Sequence, residues 1–266
     1  MILEDFHVHT TFCDGKDSAE EVVKAAIAMG MERIGFSGHS HTPHDESYCM
    51  SPSGIEAYRA EILRLREKYA GQIEIFCGLE QDFFSDTDIS PFDYAIGSVH
   101  YIKIGGGYVP IDETPEILKE TASRYFGGSM YALAECYYIH VSAVIAKTKA
   151  DIIGHFDLIS KFNEGGRLFD ERNPRYIEAA CSAVDELVEY GVPFEINTGA
   201  MTRGYRTTPY PAPFILKRIA EDGGRVILSS DSHSAKTLCA HFKECEKLCE
   251  CFGLKPERLA IKGNKK

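Results

Sequence analysis

The chain contains no apolar run of about 18 residues, the length a membrane-spanning helix requires, so nothing in it is expected to cross a bilayer. No Pro/Gly/Ser-rich linker and no shift in composition divides its 266 residues. A single domain over residues 1–266 is therefore expected, large enough to bury about three quarters of the surface its unfolded chain exposes. Basic excess is also missing. The formal net charge is −11, and the positive footprint of a nucleic-acid binder is not visible. The opening Met1-Ile2-Leu3-Glu4-Asp5 has neither a basic segment nor an apolar signal core, so a cytoplasmic protein is expected. No internal repeat or low-complexity segment is present. The glycines at 105–107 lack a phosphate-loop pattern and suggest a hairpin tip or loop. There is no Cys-x-x-Cys pair; the nine cysteines are scattered and expected to be reduced thiols. Cys239, Cys245, Cys249 and Cys251 cluster with His241. A structural zinc site is conceivable there, but the region reads as an amphipathic helix in which cysteines serve as small apolar packing residues.

What is present is an alternation of strand and helix. Strands are expected at Ile2–His7, Arg33–Ser37, Ile73–Cys77, Tyr94–Ser98, Ile152–Gly154, Phe194–Asn197 and Val226–Ser229. Ser18-Ala19-Glu20-Glu21 and Ser53-Gly54-Ile55-Glu56 have the form of capping boxes, opening helices to about Met29 and Tyr69. Further helices are expected from about Pro115, over Met130–Lys147, from Asn173-Pro174 to about Tyr190, over about Ala212–Glu221, and over about Lys236–Phe252. Seven βα units imply a parallel α/β architecture.

The strand ends carry the chemistry. His7-Val8-His9, Gly38-His39, Gly78-Leu79-Glu80, Ser98-Val99-His100, Gly154-His155 and Asp231-Ser232-His233 each follow a β-prone run with an imidazole or a carboxylate. Residues i and i+2 of a strand share a face, so His7 with His9, and Asp231 with His233, can each chelate one ion. In an open sheet only the strands at the switch point feed one crevice. In a barrel every strand end faces one mouth. Candidate ligands at almost every strand end therefore favour a closed, distorted seven-stranded barrel. His140 and His241 read as solvent-facing or structural, whereas His41 and His44, in the loop after the second strand, lie near enough to the rim to touch substrate.

Nitrogen and carboxylate donors without thiolate suit zinc, manganese or iron. Three divalent ions, less the carboxylates of Asp14, Glu80 and Asp231 and one bridging hydroxide, leave a charge of about +2. That is enough to attract a phosphate dianion to an acidic protein, and such ions stabilise both oxygens of an in-line displacement.

These motifs resemble the polymerase and histidinol phosphatase (PHP) family, and the resemblance covers nearly the whole chain. It implies a distorted (β/α)7 barrel with a trinuclear centre. By motif, one metal would take His7, His9, Glu80 and Asp231. A second would share Glu80 and add His100 and His155. The third would take Asp14, His39 and His233. Glu80, Asp231 and His233 would then be the residues through which catalysis runs, with a metal-bridging hydroxide as nucleophile; Asp231 is also a candidate proton donor to the leaving alkoxide. Two departures stand out: Gly38 occupies a position that is acidic in many members, and Asp14 one that is histidine in some.

Ser40-His41-Thr42-Pro43, Ser47-Tyr48-Cys49-Met50-Ser51, Gly154-His155-Phe156-Asp157-Leu158-Ile159, and the run from Asn197-Thr198-Gly199-Ala200 through Arg203-Gly204-Tyr205 to Pro209-Tyr210-Pro211 are similar to the histidinol-phosphate phosphatase branch. The resemblance implies hydrolysis of a small phosphomonoester, L-histidinol phosphate, in histidine biosynthesis. No nucleic-acid or membrane partner is expected, and a homo-oligomer is left open. Arg203, then Lys161, are the expected phosphate-binding cations, with Arg206 a third candidate. His41 is a candidate substrate contact, and Asp45 or Glu46 could meet the ammonium. Two alternatives stay open: a related phosphoesterase for nucleotides or oligonucleotides, and a non-catalytic metal-binding regulatory protein.

Overall fold

The structure is a computed structural model that describes residues 3–261. Along the chain come β1 (Glu4–Asp5), α1 (Ala19–Ala28), β2 (Arg33–Phe36), α2 (Pro52–Lys68), β3 (Glu74–Asp82), β4 (Tyr94–Ser98), β5 (Tyr101–Ile104) and β6 (Gly107–Pro110). Then follow α3 (Pro115–Tyr125), α4 (Met130–Ser142), α5 (Val144–Thr148), β7 (Ile152–Ile153), α6 (Pro174–Val188) and β8 (Phe194–Asn197). The last elements are α7 (Gly199–Thr202), α8 (Pro213–Glu221), β9 (Val226–Ser229) and α9 (Phe242–Cys251). Strands β1, β2, β3, β4, β7, β8 and β9 pair in that order, all parallel.

The sheet closes at its rim. Val8 bridges Ser232 in parallel; the His9 N–H donates to the Ser232 carbonyl at 2.8 Å, and the Ser232 N–H to the His7 carbonyl at 3.0 Å. Below this seam, the buried Asp5 carboxylate accepts the N–H groups of Ser230 and Cys239, each at 3.1 Å, and the Ser230 hydroxyl. The seven-stranded barrel expected from the ligand placement is thus observed.

An apolar cluster drawn from strands on every side, Phe6, Tyr94, Ile96, Ile152 and Ile227 with Phe76, can lie only inside the barrel. Tyr94 crosses it and donates to the carbonyls of Phe6 (2.6 Å) and Phe36 (3.0 Å). Its ring explains two glycines. A Cβ at Gly78 would meet the ring at 2.2 Å, and one at Gly35 would meet its hydroxyl at 2.4 Å. Outside the barrel, α1 and α2 cover one half with Val22, Val23, Tyr58 and Ile62. The later helices cover the other half with Tyr138, Tyr176, Leu187 and Ile215.

The C-terminal segment seals the bottom. Leu259 packs beneath Phe6 and Ile227 in the interior cluster. Its N–H donates to Glu4 Oε1 at 2.9 Å, while Arg33 (3.0 Å) and Arg258 (3.2 Å) hold Glu4 Oε2. Leu259→Ala should therefore lower stability by about 2–3 kcal/mol. Chemical denaturation reads this directly, and an unchanged midpoint would show that the segment seals nothing.

Several boundaries differ from the sequence expectation. The first strand is confined to Glu4–Asp5, and Ile2 lies outside the described residues. The α2 cap is Ser51 instead of Ser53: Pro52 takes the first helical position, and Ser51 Oγ accepts from Gly54 N–H. The helix expected over Met130–Lys147 is broken at Ala143, which opens α5 without a side-chain cap. The last helix starts only at Phe242, because Cys239 and His241 take left-handed backbone (φ 53° and 62°) that a right-handed helix does not continue through. Cys245 and Cys249 are buried core residues, as expected for packing cysteines. The glycine-rich tip is a hairpin, β5 pairing antiparallel with β6 across Gly105 and Gly106 (φ 61° and 81°). No helix among the described residues is long and apolar enough to cross a membrane.

Candidate metal centre

All nine candidate ligands converge at the C-terminal ends of the parallel strands, where a barrel places its chemistry. Glu80 is the hub. It is not beyond a strand end but inside β3, which runs five residues further than the sequence suggested. Its Oε2 lies 2.9 Å from His39 Nδ1, 3.3 Å from His7 Nε2 and 3.5 Å from His9 Nε2. Its Oε1 lies 2.9 Å from His155 Nε2 and 3.4 Å from His100 Nε2, and accepts the Ser98 hydroxyl at 2.7 Å. Asp231 Oδ1 is 3.4 Å from His9 Nε2 and 3.8 Å from His7 Nε2. Asp14 meets His233 Nε2 at 3.1 Å, His9 Nδ1 at 3.6 Å and His39 Nε2 at 3.7 Å.

The donors fall into three overlapping groups: His7, His9 and Glu80; His39, Glu80 and His100; and His9, Asp14, His39 and His233. The partition implied by the resemblance is close but not identical. His9 and His39 each present one nitrogen to the Glu80 side and the other to Asp14. His155 reaches the centre through Glu80.

This donor set fits metal ions. His7 Nε2, His9 Nε2 and Glu80 Oε2 are buried and make no hydrogen bond, a costly state for polar atoms that a cation would relieve. Burial, with His233 and His39 nearby, pushes His9 down to about 3, which leaves a neutral imidazole with one ring-nitrogen lone pair for a cation. Burial alone would push Glu80 up, but His39, His7 and His100 outweigh it and hold the carboxyl well below its usual range. Asp231 behaves likewise: burial opposes ionisation, and Arg203 and His7 overcome it. An ionised Asp231 suits a ligand better than a proton donor.

Two supporting carboxylates escaped the sequence reading. Glu195 Oε1 holds His7 Nδ1 at 2.6 Å, and Oε2 accepts the His155 N–H at 3.0 Å. Asp82 Oδ2 lies 3.2 Å from His100 Nδ1. Both carried a signal. Glu195 alternates with Phe194 and Ile196, which pack outward, and Asp82 sits two residues beyond Glu80, on the same face. Glu195→Gln should weaken metal affinity by about 10–100-fold, the usual effect of losing a carboxylate that orients a ligating histidine. Metal titration of the purified variant checks this, and unchanged affinity would deny Glu195 that role.

Gly38 sits against Met50 and Cys13, where a larger residue would need Met50 to give way. A Cβ there would lie 3.0 Å from Met50 Cε and 3.5 Å from Cys13 Sγ. Cys13 Sγ itself sits 3.5 Å from His9 Nδ1.

Above the cluster opens a cavity of about 430 Å³. Its lining includes Arg203 and Lys161, the carboxylates of Asp45, Asp112 and Glu113, and the rings of Tyr48, Tyr101 and Tyr205. Arg203 Nη2 donates to Asp231 Oδ2 at 2.9 Å. Gly199 is required beside this pair, since a Cβ there would come within 2.6 Å of the guanidinium and 2.7 Å of the Asp231 carboxylate. Lys161 Nζ donates to Asp112 Oδ2 at 3.0 Å. His41 is not among the lining residues: its Nε2 lies 2.9 Å from Glu46, and Tyr48 and Tyr101 occupy the wall where His41 was expected. Arg206 is buried and bound to Glu171 and a backbone carbonyl, so it does not face the cavity. His140 is structural, its Nδ1 2.8 Å from the Cys136 carbonyl.

Comparison with known proteins agrees with this geometry. The chain is 30% identical to the "Probable histidinol-phosphatase" of Deinococcus radiodurans, over 91% of each chain. It is 28% identical to the histidinol-phosphatase of Bacillus subtilis, over 88% of this chain and 95% of that one. Its fold superimposes, with a TM-score of 0.71 and 21% identity, on a Lactococcus lactis histidinol phosphate phosphatase solved with zinc, L-histidinol and phosphate, covering 96% of this chain and 95% of that one. The PHP domain family matches residues 5–199. That stretch is well over half of the sequence and holds every candidate ligand except Asp231 and His233, so the chain belongs to the PHP domain family.

Proposed function

We propose that this protein is a metal-dependent phosphomonoesterase that hydrolyses L-histidinol phosphate to L-histidinol and phosphate in histidine biosynthesis, with residues 1–266 acting as one phosphoesterase domain. The observation that carries the reading is the convergence of nine imidazole and carboxylate side chains around Glu80 on the floor of a cavity that also holds two cations. Relatives of nearly full length named as histidinol-phosphatases support the substrate.

His7, His9, Asp14, His39, Glu80, His100, His155, Asp231 and His233 would hold three divalent ions, zinc, manganese or iron. Such ions supply Lewis acidity toward phosphoryl oxygens and an activated water. The chain supplies the rest. Arg203 and Lys161 enter the cavity beside the cluster and can fork onto or attract phosphate oxygens. Tyr48 and Tyr101 give a flat apolar wall, rings 6.4 Å apart and nearly parallel, that suits an imidazole.

For the ammonium, Asp45 and Glu113 are the cavity carboxylates left after Asp112 is assigned to Lys161. Asp45 already accepts the Tyr101 hydroxyl at 2.6 Å, so Glu113 is the better placed. Glu113→Gln should raise KM for L-histidinol phosphate by about tenfold, one charge-assisted hydrogen bond. KM for p-nitrophenyl phosphate, which has no ammonium, should not move. Equal shifts for both would remove Glu113 from this role.

The overall reading is tested by phosphate release from L-histidinol phosphate beside p-nitrophenyl phosphate, nucleotides and a phosphodiester. A clear preference for L-histidinol phosphate is expected. Preference for a nucleotide or diester would overturn the substrate, and metal binding without turnover of any phosphoester would make the protein regulatory.

A further inference from the structure

The two cavity cations ride on different loops. Lys161 follows the short turn Leu158–Ser160 after β7, and Arg203 follows α7 after β8. Between these loops lies a third, buried cation. Arg206 is 7% exposed. Its Nη1 donates to the Ser160 carbonyl at 2.8 Å, one peptide from Lys161, and to Glu171 Oε1 at 2.9 Å. Its own N–H is tied to the Ala200 carbonyl at 3.2 Å, at the start of the turn that carries Arg203. Glu171 is fixed in turn by Asn163 Nδ2 at 2.9 Å. The neighbouring Thr207 adds a parallel tie, its N–H and hydroxyl both donating to Glu164, at 3.0 and 2.7 Å. On the cavity side, Tyr205 packs edge-on against Phe162 at 5.4 Å and lies 5.2 Å from the Lys161 ammonium.

A buried guanidinium is expensive to desolvate and is retained only where its partners compensate it. The partners of the guanidinium, Ser160 and Glu171, both lie on the loop after β7, while Arg206 itself belongs to the loop after β8, so the guanidinium ties one loop to the other; none of them lines the cavity. We propose that Arg206 is a positioning residue that fixes the spacing of Lys161 and Arg203, and through them the affinity of the site for the phosphate group. The proposal rests on the phosphoesterase reading only in requiring that a phosphate group binds there. It does not depend on which alcohol is esterified.

The test uses metal-replete enzyme carrying Arg206→Met, which keeps most of the volume and loses the charge, and Arg206→Lys, which keeps the charge and loses the fork. Metal content, melting temperature, the inhibition constant of inorganic phosphate, and kcat and KM for p-nitrophenyl phosphate and L-histidinol phosphate are measured. Arg206→Met should weaken phosphate inhibition about tenfold and raise both KM values by a similar factor, with kcat and metal content little changed. Arg206→Lys should fall between it and the parent. The effect should also be largely lost in a Lys161→Ala background, because a residue that acts through another is non-additive with it.

A lower melting temperature with phosphate inhibition within about twofold of the parent would overturn the proposal and leave Arg206 a purely structural group. Full additivity with Lys161→Ala would overturn it as well. Should Arg206→Met fail to fold, Glu171→Gln, which loosens the same guanidinium from a partly exposed position, should shift phosphate inhibition in the same direction. No shift there counts against the proposal. Lack of L-histidinol phosphate turnover in the parent enzyme, with phosphate inhibition intact, would overturn the substrate reading and leave this test standing.

Discussion

Glu80→Gln is expected to lower kcat/KM by about a thousandfold or more, equivalent to roughly 4 kcal/mol of transition-state stabilisation. The reason is its position. One carboxylate has five imidazoles around it, three on Oε2 and two on Oε1. Glutamine matches it in shape but offers one oxygen instead of two and places an amide NH2 toward nitrogens that need a cation. The negative charge that would join the ions is lost with it. Even the loss of a carboxylate that merely orients a ligand costs about 10–100-fold; removing the shared ligand should cost more. The variant should fold, because the interior cluster beneath Glu80 is untouched. Metal analysis beside steady-state phosphate release checks both halves, and a variant with full metal content and near-parental turnover would refute the role of Glu80.

Removing the metals should have the second large effect. After exhaustive chelation, turnover should fall to background and return with manganese, zinc or iron, their order identifying the preferred ion. Stability should fall too. A ligand present at about 1,000 times its dissociation constant contributes about 4 kcal/mol, which for a chain of this size is on the order of 10 °C in melting temperature. The sign follows from the cluster: without ions, His7, His9 and Glu80 keep buried polar atoms without hydrogen bonds. Undiminished turnover after chelation, verified by metal analysis, would remove the metal mechanism.

The barrel and the ligand set were legible because they are written in short-range patterns. Histidines at i and i+2 share a strand face, and a donor recurring at nearly every strand end implies a common mouth. The supporting shell was harder to see. Glu195 looks like one polar residue in an apolar strand until its closed barrel gives it an interior to face. Tyr48 and Tyr101 carry no charge to attract notice, yet they form the cavity wall. His41 is near the rim in sequence, but its orientation is decided by Glu46. Arg206 sits three residues from Arg203 and carries the same charge; only its burial shows that it does not face the cavity. The breaks at Ala143 and at Cys239–His241 depend on backbone conformations with no distinctive residue to announce them.

The seam between the first and last strands has a consequence for how the protein is made. Asp5, His7 and His9 emerge early in synthesis, but Ser230, Asp231 and Ser232, which close the barrel over them, emerge more than 200 positions later. Contacts of such long sequence separation form slowly, and domains assemble as units while the chain is translated. The nascent chain therefore carries an incomplete cup of histidines for most of its synthesis. The full donor set around Glu80 exists only once the last strand, which brings Asp231 and His233, has joined the first.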